Sequence, residues 1–463
     1  MKYILLFFTL IPCLIEGFFL NFKFGKPFKI IDKHIDVPID TMKKEKLKNV
    51  SGFYGLIGPD VDMYNVSSLF QLFMGDGMIQ GMFFDKGNVT FIKHYIKTEK
   101  LLYESKNGRI PKEPFTFMMF MLLNKMNLLP NHLGLANTAL LKTSNDLYAL
   151  YERDLPYSLD IDKEKHDIIT NKRKYIRGMN SFSGHSKFVN ENVETIDYNV
   201  VKQTINFHIF NDKLKSIKKH TIKTKYAPII HDFISTNDHF LIADVPMVMD
   251  ITQVIKTSLP VRFDKTKPSY FHFINKENGY LNTFKYNKGI YIFHHAYMSE
   301  DETNFYLYSC VYDEFNYLSL DVKGGYRCIQ LNKQTKEVSI LKNEKTEEHN
   351  LDFPFIYDNY VILRNLCKDD KGIRINGFVI CDKLDIKHSY FDNDKCFCAD
   401  PNIIHIDKEP YIGSFAYSLH SNDNFFCLIP LFGGEPIEIK IPEDVKVGFH
   451  SLYLPFEDTI VGS

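Results

Sequence analysis

Short runs of alternating apolar and polar residues, each closed by a turn signal, recur along most of this 463-residue chain. "GMFFDKGNVTFIKHYI" reads as strand, turn at Asp85-Lys86-Gly87-Asn88, strand. "TALLKTSNDLYALYE" turns at Ser144-Asn145-Asp146, and "IIHDFISTNDHFLIADV" at Thr236-Asn237-Asp238. "CIQLNKQTKEVSILKN" and "FFCLIPLFGGEPIEIKI" repeat the plan. Period-two runs joined by Gly, Asn and Asp turns are hairpins. At this density, with few long helical patterns, they point to an all-β sandwich, barrel or propeller. No tract rich in Pro, Gly or Ser interrupts the chain, which favours one compact unit. For a single domain of this length, a propeller of several four-stranded blades fits best.

A formal net charge of −1 gives no basic footprint, so no nucleic-acid partner is expected. The surplus of rings, Phe 40 and Tyr 27 with no Trp, suits strands and also apolar pockets. The opening "MKYILLFFTLIPCLIEGFFL" has a Lys followed by an apolar run. It reads as a signal peptide over 1–17, or as an uncleaved membrane anchor, ahead of one domain over 18–463. Ile15 fits the small-residue rule at a cleavage site poorly. Sequons at Asn49, Asn65 and Asn88 add weak support for a secreted or lumenal protein, with a cytoplasmic one as the alternative. Besides Cys13, seven cysteines lie from Cys310 onward, with no zinc-like spacing and no pairing that spacing alone can name.

"PFTFMMFMLLNKMNLLP", residues 114–130, is apolar and unbranched after Thr116, which suits a helix. It is too short, and too polar at Asn124-Lys125, to span a bilayer. Two readings stand: a buried cap helix, or an apolar surface patch that dips into one leaflet as a peripheral membrane contact.

The chain has 17 histidines, too many for any four to mean much alone. Local contexts in chain order narrow the choice. "GDGMIQGMFF" is followed by "GLANTAL", "LYERDLPY", "SGHSKF", "APIIHDF", "IYIFHHAYMSEDE", "DFPFIY" and, near the end, "GFHSLYLP". This series resembles the carotenoid cleavage oxygenase family, the non-haem iron dioxygenases and their retinoid isomerase relatives, from about Gly52 to Leu454. The resemblance implies a seven-bladed β-propeller with Fe(2+) on its axis and a short helical, apolar cap over the metal-binding face. By matched motif the metal ligands are His185, His231, His294 and His450. His294 is preferred to His272, which falls where the family varies. It is also preferred to His295, which faces the other side of the same strand.

The family backs its ligands with three acids. Glu152 matches the first, and Asp352 stands at the second with a shorter side chain. The third is expected near His405 and Ile406, where this chain has no acid; Asp407 would serve only after a register shift. Thr138 matches a Thr that crowds an open iron position in the family's oxygenases, where the isomerase branch tends to carry an aliphatic residue. Imidazole suits iron, and four neutral ligands leave two octahedral positions for dioxygen and water.

The implied activity is dioxygen-dependent cleavage of a C=C bond in a lipophilic carotenoid or apocarotenoid, giving aldehydes such as retinal. A retinoid isomerase-like enzyme is the alternative within catalysis. A carotenoid- or retinoid-binding propeller without turnover is the alternative outside it, kept open by the unmatched third acid. The chain also lacks the Pro-Asp-Pro-Cys segment of animal members, which are mostly cytosolic.

Overall fold

A computed structural model describes residues 25–62, 66–110, 120, 132–253, 261–369 and 372–456. The signal or anchor reading of 1–17, and all of 114–130 except Phe120, lie outside these residues. Phe120 itself is buried against Phe70, Met74, Ile110 and Leu133. Among the described residues no helix is long and apolar enough to cross a membrane.

Apart from the separate pair Met247–Met249 and Val261–Phe263, the strands form seven antiparallel blades. Blade 1 holds Lys33–Asp36, Gly52–Pro59, Gly77–Asp85 and Asn88–Tyr95, and takes His450–Pro455 as its fifth strand. Blade 2 runs from Ala139–Lys142 to Asp167–Arg173, and blade 3 from Lys187–Val189 to Ser216–Lys223. Blade 4 runs from Ile234–Ser235 to Leu281–Tyr286, and blade 5 from Tyr291–Glu300 to Val338–Leu341. Blades 6 and 7 are joined in one nine-stranded sheet. Blade 6 spans Leu351–Tyr357 to Asp385–Phe391; blade 7 spans Lys395–Phe397 to Ile437–Ile441, and a single residue pair, Ile375 with Phe397, links them.

The turns follow from local chemistry. Lys86 and Gly87 both have positive φ (49° and 79°), the two-residue turn whose twist matches paired strands, and Asp85 pairs with Asn88 across it. At the expected turns after Thr143 and Thr236, those residues' N–H groups donate to the carbonyls of Asp146 and His239.

The ring is closed by the C-terminal strand. His450–Pro455 pairs antiparallel with Gly52–Pro59, placing His450 opposite Ile57 and Pro455 opposite Gly52. Two glycines permit the approach: a Cβ on Gly58 would lie 2.4 Å from Gly448 Cα. Beside this seam Tyr54, Phe84 and Phe91 of blade 1 pack with Phe415 and Phe426 of blade 7, and the Tyr54 and Phe426 ring centroids lie 4.9 Å apart. Much of the ring surplus thus seals blade to blade. All seven cysteines from Cys310 onward are unpaired.

Candidate metal centre

His185 lies two residues before the edge strand of blade 3, and His231 three residues before that of blade 4. His294 lies in the edge strand of blade 5, and His450 begins the closing edge strand of blade 1. One ring nitrogen from each of the four lies within 4.8 Å of the others. The sequence spreads these residues widely; the blades bring them to one point.

The other three blades supply acids. Glu152 follows the second strand of blade 2 and accepts from His231 Nδ1. Asp352, in the first strand of blade 6, accepts from His294 Nδ1 at 2.8 Å, and also from the Tyr312 hydroxyl and Phe353 N–H. Asp400 lies where the inner edge of blade 7 is interrupted, between Lys395–Phe397 and Asn402–Ile406, and accepts from His450 Nδ1 at 3.0 Å. Each of the seven blades therefore contributes one of these seven groups.

Asp400 corrects the expectation of a missing third acid. His405 instead meets the Tyr357 hydroxyl at 3.0 Å, and Asp407 accepts from Asn49 at the surface. The acid stands five positions before His405, in the break between Lys395–Phe397 and Asn402–Ile406. The Cys-Ala-Asp-Pro run was the available signal.

The rejected histidines have other partners. His295 Nδ1 meets Ser309 Oγ at 2.8 Å, while His272 meets Asp244 and Thr283. Register shifts on both sides of His295 mark bulges, which re-aim side chains. A brace invisible in the sequence ties three ligand segments together. Lys187 Nζ donates to Asp232 Oδ1 at 2.7 Å, and Asp232 Oδ2 accepts the His295 N–H at 2.9 Å. Asp232 thereby links the chain next to His185, His231 and His294.

Burial would raise the Asp232 carboxyl, but the charges of Lys187, His295 and His294 outweigh it and bring it to about 2. Its unperturbed value is 3.8, so the brace stabilises the fold above that pH, and the contribution is lost as pH falls toward 2. Lys187→Met, which strands the buried carboxylate, is expected to cost about 3 kcal/mol in urea unfolding at pH 7 and much less at pH 2. An equal cost at both pH values would show that the ion pair does not brace the site.

A carboxylate can only accept, so Nδ1 of His231, His294 and His450 carries the proton, which leaves Nε2 of each neutral ring as a bare lone pair. His185 Nε2 and His231 Nε2 lie 3.0 Å apart, and His294 Nε2 is buried without a hydrogen-bond partner among the described residues. Two nitrogens each about 2.1 Å from one ion, at right angles, would be separated by that distance. Burial and the neighbouring imidazoles hold His185 well below its ordinary pKa, and burial brings His294 to about 4 against the pull of Asp352. Both are therefore neutral near pH 7, as ligation requires. For His231 burial acts downward, but Glu152 outweighs it and raises the pKa. The donor set, its tautomers and the orphaned Nε2 fit a divalent metal ion.

The site opens on a cavity of about 1460 Å³ lined by His231, His294, His450, Glu152 and Asp352, with Phe73, Phe293, Phe353, Tyr198 and Tyr317 among its rings. Ligand pockets commonly measure about 300–1,000 Å³, so this one has room for a long molecule. Thr138 lines it as well, 7% exposed, with its N–H given to Leu150. Its methyl packs on the loop bearing His185: a Cβ on Gly184 would lie 2.6 Å from Thr138 Cγ2. The Gly in "SGHSKF" is thus needed for close approach. The Gly-Asp-Gly-Met motif serves the frame instead, its Asp76 pairing with buried Lys100 at 2.8 Å and with Arg109.

A family model described as retinal pigment epithelial membrane protein matches residues 48–367. Carotenoid 9,10(9',10')-cleavage dioxygenase 1 of Pisum sativum is 26% identical over 341 residues, which are 67% of this chain and 62% of the relative. Probable carotenoid cleavage dioxygenase 4, chloroplastic, of Arabidopsis thaliana is 25% identical over 448 residues, covering 84% and 73%. The chain thus spans less than two thirds of the length of the pea relative. Among solved structures, a variant of Synechocystis apocarotenoid oxygenase has a TM-score of 0.72 at 14% identity, covering 93% of this chain and 97% of that one. Pseudomonas brassicacearum lignostilbene dioxygenase has 0.69 at 16%, covering 94% and 97%. These structures share the propeller fold.

Proposed function

The chain belongs to the retinal pigment epithelial membrane protein family, which includes the carotenoid oxygenases, and on that premise we propose that it is a non-haem iron(II) dioxygenase. Its substrate is a carotenoid or apocarotenoid, and one C=C bond is exchanged for two C=O groups, both oxygens coming from O₂, to give aldehydes such as retinal. The observation that carries the reading is the ring of four imidazoles, three of them backed by carboxylates, on the wall of a large aromatic cavity.

His185, His231, His294 and His450 would hold the iron, which supplies the redox chemistry that joins dioxygen to an alkene. The protein's own part is positioning. Glu152, Asp352 and Asp400 fix each imidazole's tautomer and ring angle, and their negative charge offsets that of a divalent ion. The rings exclude water and stack on a flat conjugated chain. Thr138 narrows the cavity beside Glu152. The substrate comes from a membrane, and the apolar run 114–130 would make that contact.

The test is iron analysis of the purified protein together with incubation under ¹⁸O₂ with β-carotene and with an apocarotenal. Stoichiometric iron and two labelled aldehydes per bond are expected. Iron without cleavage would favour an isomerase, and polyene retained without iron would favour a binding protein. The presence of Asp400 removes the sequence-level ground for that last reading.

A further inference from the structure

One part of the cavity wall carries charge that the chemistry above does not use. The paired strands Tyr360–Asp369 and Gly372–Asp382 of blade 6 bring Arg364 and Arg374 to it. Both side chains are deeply buried, 8% and 6% exposed. Among the described residues Nε and Nη1 of Arg364 have no hydrogen-bond partner. Arg374 gives Nη1 to Asp369, but its Nε is likewise unpartnered. Leu366, Ile373, Ile375, Leu419 and Val447 line the same cavity.

A buried guanidinium with idle donors is costly unless an anion completes it. Nearby Asp352 and Asp400 do not do so, for their oxygens are engaged by His294, Tyr312, His450 and Ser451. Burial lowers the Arg364 pKa to about 10 while those carboxylates hold it up, so the group is charged at neutral pH. Its guanidinium carbon sits 3.2 Å over the Phe353 ring, which in turn lies 4.9 Å from the His450 ring and 4.4 Å from that of His294. Phe353 holds this place at φ 57°, beside a bulge between Asp352 and Phe355, a conformation a bulky residue rarely adopts. Only one ring therefore separates the cation from two histidines of the metal site.

We propose that Arg364 receives the carboxylate of an acid-terminated conjugated substrate. The inference rests on the reading that this cavity takes a polyene, and it narrows the class to polyene acids. A guanidinium fork matches a carboxylate in shape and charge, whereas a neutral hydroxyl or carbonyl would leave the buried charge uncompensated. Because the cation lies so close to His450, the bond that reacts lies toward the acid end of the chain rather than at its middle.

The test is equilibrium dialysis of the full-length protein with all-trans-retinoic acid and with its methyl ester. The acid is expected to bind at least about tenfold more tightly, as a charge-assisted hydrogen bond implies. Arg364→Met should abolish that preference. Equal affinity for acid and ester in the unmodified protein, or a preference that survives Arg364→Met, overturns the inference. If the variant fails to fold, the wild-type ratio decides alone. Cleavage of the ester by iron-loaded protein reports separately on the dioxygenase reading. Cleavage without acid preference sinks only the present inference, acid preference without cleavage sinks only the dioxygenase, and failure of both probes to bind sinks both.

Discussion

His294→Ala is expected to yield protein that copurifies with no iron and cleaves polyenes at least about a hundredfold more slowly than the unmodified chain, more than loss of a supporting hydrogen bond alone would cause. Among the four histidines it is the most buried, and its Nε2 has no hydrogen-bond partner among the described residues. Truncation removes that nitrogen together with the Nδ1 bond to Asp352, which keeps its bonds from Tyr312 and Phe353. Iron content by elemental analysis and turnover by product chromatography check the prediction. A variant that retains one iron per chain would mean the metal does not sit among these rings.

The second large effect separates two acids. Asp400→Asn is expected to weaken iron binding and turnover about 10- to 100-fold, because an amide holds the His450 N–H less firmly and supplies no negative charge. Asp407→Asn is expected to leave both within about twofold, since surface substitutions of this kind rarely matter. Asp407 sits at φ 49°, a left-handed conformation Asn accepts readily, so the control adds no backbone strain. Asp407 accepts a hydrogen bond from Asn49 at the surface, whereas Asp400 takes the Ser451 N–H beside His450 as well as His450 itself. Metal titration of chelator-treated protein separates them: equal losses in the two variants, or a loss at Asp407 alone, would return the third acid to the register read from sequence.

Those two aspartates show where sequence reading stops. The hairpins at Lys86-Gly87 and after Thr143 were legible because turn type depends on a few adjacent residues. The preference for His294 came from the matched family motif, and strand alternation then put His295 on the other face, where it meets Ser309. Asp400 was missed because its role depends on a break in one strand of blade 7, which displaces the acid from the position that counting along the chain predicts. The Lys187–Asp232 brace joins motifs that look independent in the sequence, and only their approach at 2.7 Å gives them a shared purpose. Arg364 gave no signal either, since a strand arginine is ordinary until its donors prove to be buried and idle.

By itself, then, the order of residues determined the strand-and-turn grammar and nominated the imidazoles, both of which rest on near neighbours in the chain. Closure of the ring by His450–Pro455 on Gly52–Pro59, the acid that backs His450 and the charged stretch of cavity wall were decided only in three dimensions. The physical reason is that each depends on groups from distant blades meeting within hydrogen-bond reach, and that distance is set by packing, not by sequence spacing.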